Sequence, residues 1–193
     1  MLDIGCGGGW ALRRLSVLAP QAELHGIDYA AQSLSVAART NRRLVEQRRV
    51  HLIDADVSDL PYDGSRFDLV VAFNSHYFWT DLGRGLREIM RVLRPGGALA
   101  LAGGEYLGGK HDRRNRRLAA NGRMNCQTLP ALRETFREAG CSDVEIHEEW
   151  SMGWFCVAGR KHGADTEDLR FPAHTGYSSF GGATAAKGGV VRR

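Results

Sequence analysis

Met1-Leu2-Asp3-Ile4-Gly5-Cys6-Gly7-Gly8-Gly9-Trp10 is the stretch that decides the fold of this 193-residue chain. An apolar pair and an acid run into a glycine cluster, and a helical apolar pattern follows at once. That order predicts a buried strand, a tight turn and a helix N-terminus. Glycines let the backbone approach a ligand with no Cβ in the way. The helix start adds unpaired N–H groups and a partial positive charge. A nucleotide or nucleoside cofactor suits such a turn.

The spacing narrows the choice. The nicotinamide fingerprint G-x-G-x-x-G/A needs a small third residue for close helix–strand packing. Counted from Gly5, that place holds Trp10. The pattern present is Asp3-x-Gly5-x-Gly7-x-Gly9, which resembles motif I of class I S-adenosylmethionine-dependent methyltransferases. The resemblance implies that Asp3, Gly5, Cys6, Gly7 and Gly9 shape a site for S-adenosylmethionine, with S-adenosylhomocysteine as product.

Further runs extend the resemblance in the family's order. Glu23-Leu24-His25-Gly26-Ile27-Asp28-Tyr29 reads as a second strand ending in an acid. The resemblance gives Asp28 the ribose hydroxyls, with Tyr29 beside it. A plain N-cap for the helix opened by Ala30-Ala31-Gln32-Ser33 is the other reading of Asp28. After a third strand, Asp56 aligns with the position that accepts from the adenine amino group when the register is set on Leu60-Pro61-Tyr62. Val57 then offers its N–H to the ring, and Asp54 and Asp59 compete with Asp56. Phe67 to Asn74 contains a short apolar run, as a parallel strand buried on both faces requires. Leu86 to Gly97 has helical spacing and ends in Arg94-Pro95-Gly96-Gly97 before the strand Ala98–Ala102. That helix, Pro-Gly-Gly and strand are among the family's more specific signatures.

The last part of the pattern is a helix from Leu129 to Ala139, with Thr128 as N-cap and Gly140 as stop. A hairpin follows, Ser142 to Trp150 and Trp154 to Ala158. Strands alternating with helices predict an α/β fold: a doubly wound, Rossmann-like, mostly parallel sheet with a C-terminal antiparallel hairpin strand. The expected domain is 1–161. From 162 to 193 the chain is rich in Gly, Ala and Ser and ends in two arginines, which predicts a flexible basic tail. Family members carry a longer first strand and helices ahead of motif I. Met1 already lies inside the motif, so the resemblance is to an N-terminally short form, with a less stable domain and a more open cofactor site expected.

Composition sets outer bounds. A hydrophobic share of 43% and a charged share of 25% are ordinary for a globular domain. No apolar run is long enough to span a membrane and no signal peptide is visible, so a cytoplasmic protein is expected. Cys6, Cys126, Cys141 and Cys156 are widely spaced and read as reduced thiols. No metal is expected, because no His/Cys/Asp group has ligand spacing along the chain. The net charge of +4 comes with arginine clusters at Arg42-Arg43, Arg48-Arg49 and Arg113 to Arg117. Such clusters bind phosphates or are solvated helix faces.

The acceptor side is expected in the loop Phe73-Asn74-Ser75-His76-Tyr77-Phe78-Trp79-Thr80-Asp81. Phe73 and Asn74 pass beside the methionine part of the cofactor in the fold implied. Tyr77, Phe78 and Trp79 are candidate walls of an apolar pocket or a packed cluster. His76 is the candidate base, since histidine titrates near neutrality, or a loop residue without chemistry. Glu105, Tyr106, His111 and the arginines beyond it are further pocket candidates. The expected activity is methyl transfer to a small molecule. A nucleic-acid (RNA) methyltransferase is the first alternative. Against it, Asn74-Ser75-His76-Tyr77 lacks the Asp/Asn-Pro-Pro-aromatic signature of base-amino methylation, and no Pro-Cys pair exists. A non-catalytic S-adenosylmethionine-binding module is the second alternative. A nicotinamide oxidoreductase is the weakest. The sequence names neither the acceptor nor an oligomeric state.

Overall fold

The computed structural model describes residues 1–163. All but the first two residues of the expected tail lie outside that span. One seven-stranded sheet runs in the order β3-β2-β1-β4-β5-β7-β6. Its strands are β1 (Leu2–Ile4), β2 (Leu24–Asp28), β3 (Val50–Asp54), β4 (Phe67–Phe73), β5 (Leu93–Gly103), β6 (Cys141–Glu149) and β7 (Trp154–Lys161). The first five pair in parallel, and β7 is antiparallel to both of its neighbours. The doubly wound sheet and its single reversed strand match the sequence reading.

Helices cover both faces. On one side lie α1 (Trp10–Leu18), α2 (Ala31–Thr40) and α3 (Arg42–Glu46). Leu12 of α1 and Ala37 of α2 pack there with Cys6, Leu24 and Val50, and Leu44 of α3 joins from the edge. On the other lie α4 (Leu82–Val92) and α6 (Leu129–Glu138), with α5 (Asp112–Ala120) after the end of β5. In α4 the apolar residues Leu82, Leu86, Ile89 and Met90 recur at three or four residues, and all are buried against the sheet. Asp81 caps that helix by accepting the Arg84 N–H at 2.8 Å. Thr128 caps α6 through Ala131 N–H, as expected.

Several boundaries differ from the sequence reading: β6 lies one residue earlier, β7 runs on to Lys161 and α6 ends at Glu138. Strand β5 begins at Leu93 and carries Pro95-Gly96-Gly97 within it. Phe67 pairs with Leu93 and Leu69 with Ala98, so a bulge absorbs the Pro-Gly-Gly segment. The second helix begins at Ala31, because Ala30 is still extended.

Candidate active site

Parallel strands in this topology leave a crevice at their carboxyl ends where neighbouring connections diverge. Here the divergence falls between β1, which is followed by α1 and β2, and β4 on its other side. A cavity of about 540 Å³ opens there, lined by Gly5, Gly7, Asp28, Tyr29, Asp56 and Val57 among others.

The glycine loop is shaped by two close approaches. Gly5 has φ +68°, and a Cβ on it would stand 2.5 Å from the Ser75 Cβ. Gly9 has φ +75°, and a Cβ on it would stand 2.5 Å from the Asn41 amide nitrogen. Asn41 is buried and donates to the Gly9 carbonyl at 2.9 Å, so the α2–α3 junction holds the loop. Nothing lies within 4 Å of where a Gly7 Cβ would stand, and Gly7 lines the cavity.

Asp28 ends β2 and is bound by the backbone on both oxygens. The Gly7 N–H donates to Oδ2 at 2.9 Å and the Ala30 N–H to Oδ1 at 2.9 Å. Asp28 closes the turn before α2 and lines the cavity, but it is not the N-cap: that position is Ala30, which carries no side-chain cap. Each carboxylate oxygen has a second lone pair, so ribose hydroxyls can still be accepted.

Asp56 lines the same cavity from the loop after β3. The Ser58 N–H donates to its Oδ1 at 2.7 Å, and the Ser58 hydroxyl donates to the same atom. Those bonds hold its carboxyl below the usual range. Its competitors Asp54 and Asp59 do not line the cavity. The loop is latched from α4. Glu88 accepts the Leu60 N–H at 3.0 Å, while Arg91 donates to the carbonyls of Leu60 and Tyr62 at 2.9 and 2.7 Å.

Asp3 is 1% exposed, and neither carboxylate oxygen has a partner among the described residues. Burial, and then the charge of Asp28, push its carboxyl up to about 7. It stands one residue before the cavity wall formed by Ile4 and Gly5.

A second cavity, about 640 Å³, lies between the ends of β4 and β5, the approach to α5 and the β6–β7 turn. Phe73, Tyr77, Glu105, His111, Arg114 and Trp154 are among its walls. Arg114 and Glu105 form an ion pair. Asn74 lines both cavities. It sits at φ +52°, a left-handed conformation that Asn tolerates better than most residues, and its N–H donates to the Ala102 carbonyl at 2.8 Å.

Several sequence expectations are corrected. His76 does not face an acceptor: it is 1% exposed, lines neither cavity and packs edge-on against Tyr77 and Phe155. Burial holds its pKa down at about 4, so the ring is neutral and a poor base. Cys6 and Gly9 do not line the first cavity, nor do Asp3, which is buried behind it, and Phe73, which lines only the second. The left-handed turns of the loop send Cys6 into the α1–α2 core, where burial pushes the thiol up to about 12. Phe78 and Trp79 line the cofactor cavity rather than the second one, and Tyr106 is buried with its hydroxyl on Glu148 at 2.6 Å.

Ser75, Asn41, Glu88 and Arg91 were missed by sequence reasoning. Their partners lie 28 to 71 residues away, and no local spacing marks them. Met152 and Trp154 of the β6–β7 turn were read only as hairpin, though both line the second cavity.

The fold and this paired site define a Rossmann-like domain with a nucleoside-sized cleft beside a second, polar-and-aromatic one. Residues 1–97 match the methyltransferase domain family. The chain belongs to that family, whose class I members take S-adenosylmethionine as methyl donor. It is 32% identical over 101 residues to YdaC, an uncharacterized methyltransferase of Bacillus subtilis, covering 52% of this chain and 54% of that protein. It is 30% identical over 179 residues to the 27-O-demethylrifamycin SV methyltransferase of Amycolatopsis mediterranei, covering 88% of this chain and 65% of that protein. The chain thus spans about half to two thirds of the length of these relatives. Phosphoethanolamine N-methyltransferase 2 of Haemonchus contortus, solved with S-adenosyl-L-methionine, shares the fold at a TM-score of 0.72 and 18% identity. That likeness covers 84% of this chain and 48% of that one. Among the described residues no helix is long and apolar enough to cross a membrane.

Proposed function

We propose that this chain transfers the methyl group of S-adenosylmethionine to a small-molecule acceptor. The observation that carries the reading is Asn74, the residue shared by a cleft with Asp28 and Asp56 on its walls and a second cleft with Glu105, His111 and Arg114. The first cleft has the volume of a typical cofactor site, and its acids are acceptors of the kind that ribose hydroxyls and an adenine amino group need. In this reading Asp28 holds the ribose and Tyr29 flanks it. Asp56 and Val57 hold the adenine. Gly5 and Gly7, with Asp3 behind them, form the end nearest the methionine part, and Asn74 lies beside it, with Phe73 next to Asn74 on the second cleft.

S-adenosylmethionine supplies an electrophilic methyl on a cationic sulfur, and a neutral thioether leaves. The protein's task is then alignment and exclusion of water rather than charge stabilisation of a leaving group. Asn74, fixed by its bond to Ala102, sets the approach between the two clefts. Tyr77 and Trp154 give the acceptor an apolar wall, and the Glu105–Arg114 pair gives it a polar one. By its name the rifamycin relative methylates 27-O-demethylrifamycin SV, which supports a small-molecule acceptor here. Four free thiols, three of them buried, support a reducing, cytoplasmic setting.

The test is calorimetric titration with S-adenosylmethionine and S-adenosylhomocysteine, followed by measurement of S-adenosylhomocysteine formation against a panel of hydroxyl and amine acceptors. Binding with turnover is expected. Binding without turnover on any acceptor would favour a non-catalytic module, and salt-sensitive RNA affinity would favour nucleic acid.

A further inference from the structure

We propose that Glu23, His25 and His51 bind one divalent transition-metal ion of the zinc type, at the opposite end of β2 from the cofactor cleft. Strands β2 and β3 are parallel, and His25 stands in register with His51. Neighbouring strands lie about 4.8 Å apart, so two histidines so paired bring their rings together. The rings stack with centroids 4.8 Å apart and planes at 19°. Glu23 is two residues before His25, the spacing that returns a side chain to the same face.

The donor atoms converge. Glu23 Oε1 is 2.9 Å from His25 Nε2 and 3.2 Å from His51 Nε2, and all three ligand atoms fit within 4.8 Å of one another. Tetrahedral zinc with bonds of about 2.0–2.1 Å holds its ligands roughly 3.3 Å apart. The two carboxylate–imidazole distances are already close to that spacing, and closing the site asks the stacked rings to turn so that both Nε2 lone pairs face one point. Two imidazoles and one carboxylate suit zinc, nickel or copper, not the all-oxygen preference of calcium and magnesium.

His25 is 4% exposed, so the protein around it holds its ring in place. Tyr62 and Phe67 pack edge-on against it and fix its plane. His51 and Glu23 reach solvent, so water can complete the fourth position. A cavity of about 450 Å³ lined by His25, His51, Tyr62 and Arg66 gives an entry path. The Arg66 guanidinium lies over the Tyr62 ring at 5.1 Å, and the Met1 ammonium donates to the Glu23 carbonyl at 2.9 Å. On binding, each Nε2 gives its lone pair to the ion and the neutral ring carries its proton on Nδ1. His25 Nδ1 is buried with no partner among the described residues, so that donor is left unpaired and affinity is lowered accordingly.

Position assigns the role. β3 is the sheet edge, and the ion ties it to β2. His25 precedes Asp28 by three residues, about 10 Å along a strand, so the ion braces the edge and takes no part in methyl transfer. The expectation of no metal rested on spacing along the chain, and the strand register creates a triad that the spacing hides.

Chelator-treated full-length protein is titrated with zinc chloride in a calorimeter and with cobalt(II) chloride under visible absorption. One ion per chain, tetrahedral cobalt bands and a higher melting temperature with zinc are expected. His51→Ala and Glu23→Gln should each weaken binding at least about 10-fold, since even supporting residues around a metal cost that much, while His147→Ala should not. Glu23 is surface-exposed, so its variant reports even if His51→Ala fails to fold. No binding, or binding unchanged in Glu23→Gln, overturns the proposal.

Discussion

The Ser75 hydroxyl donates to the Ile4 carbonyl at 2.7 Å, joining residues 71 positions apart at the bottom of the cofactor cleft. This bond ties the end of β1 to the loop after β4, and those two segments are walls of the cleft. The same Ser75 Cβ occupies the space a side chain on Gly5 would need. Ser75→Ala leaves a buried acceptor without its donor, a loss of about 1–2 kcal/mol. For a domain of this size that is a fall of a few degrees in melting temperature. S-adenosylmethionine affinity should fall with it, because the loop and the strand end are no longer held together. Gly5→Ala should cost more, since it adds backbone strain to the clash. Thermal unfolding and calorimetry of both variants check the order.

Asp28 links loop and ligand through the same carboxylate. Its two oxygens accept from Gly7 and Ala30, so the side chain is oriented before any ribose arrives. Asp28→Asn keeps one acceptor and turns an amide toward one of two N–H groups. A charged hydrogen bond is worth about 1.5–3 kcal/mol, so S-adenosylmethionine binding should weaken about 10- to 100-fold. Asp56→Asn should cost less, because Asp56 is exposed and bound only by Ser58 in its own turn. Equal losses, or none, would move the ribose and adenine assignments to other residues.

The parts of the molecule legible in the sequence are those whose meaning is local. Gly5 to Gly9 needs its positive φ angles within five residues, and Leu82 to Val92 shows its buried stripe in its own spacing. The reversed strand β7 follows from a short glycine-containing turn at Gly153. What stayed hidden depends on pairing across strands. His25 and His51 meet only because β2 and β3 pair in one register. The side chain of His76 points inward because Gly103 of β5 leaves room for it: a Cβ there would come within 3.3 Å of the ring. Nothing beside His76 in the sequence signals that gap, so a loop histidine looked available for chemistry. Cys6 and Gly9 were placed in the site by the motif alone, and the coiling of the loop turned them to the core.

Asp3 makes stability depend on pH in an unusual direction. Its folded pKa, about 7, lies above the ordinary 3.8. The native state therefore holds a proton that the unfolded chain has lost between about pH 4 and pH 7. Stability from this group is complete below pH 4 and is lost as pH rises through 7. Asp3→Asn removes the titration. Its stability relative to wild type should rise between pH 4.5 and pH 8, by an amount of order a few kcal/mol. Urea unfolding at the two pH values measures the difference, and taking it against wild type cancels the other groups. A flat difference would mean that the carboxyl is solvated or paired.

His76 has the opposite sign. Its folded pKa of about 4 is below the ordinary 6.5, so the neutral ring contributes stability above pH 6.5 that is lost as pH falls toward 4. His76→Phe keeps an aromatic ring among Tyr77 and Phe155 and removes two buried nitrogens without partners among the described residues. The variant should lose the acid-side decline, keep S-adenosylmethionine affinity within about twofold, and leave the pH profile of turnover in place. His76→Ala should instead cost about 2–4 kcal/mol by leaving a cavity. A turnover profile that loses a limb near neutrality in His76→Phe would restore the histidine as a base.

Arg114 separates acceptor binding from cofactor binding. It lines the second cleft, is paired with Glu105, and does not touch the first cleft, whose shared wall is Asn74. The pair is more than half exposed at the arginine, so its loss should change stability by less than about 1 kcal/mol. An acceptor that presents a carboxylate or phosphate to this wall would gain a charge-assisted, two-pronged contact from the guanidinium. Arg114→Ala should then raise KM for anionic acceptors about tenfold or more and leave the S-adenosylmethionine Kd unchanged. Arg114→Lys should recover only part of the loss, because an ammonium cannot match both oxygens at once. Neutral acceptors should show little change in either variant. If KM rises equally for neutral and anionic acceptors, Arg114 acts by holding Glu105 and the start of α5 in place rather than by reading charge.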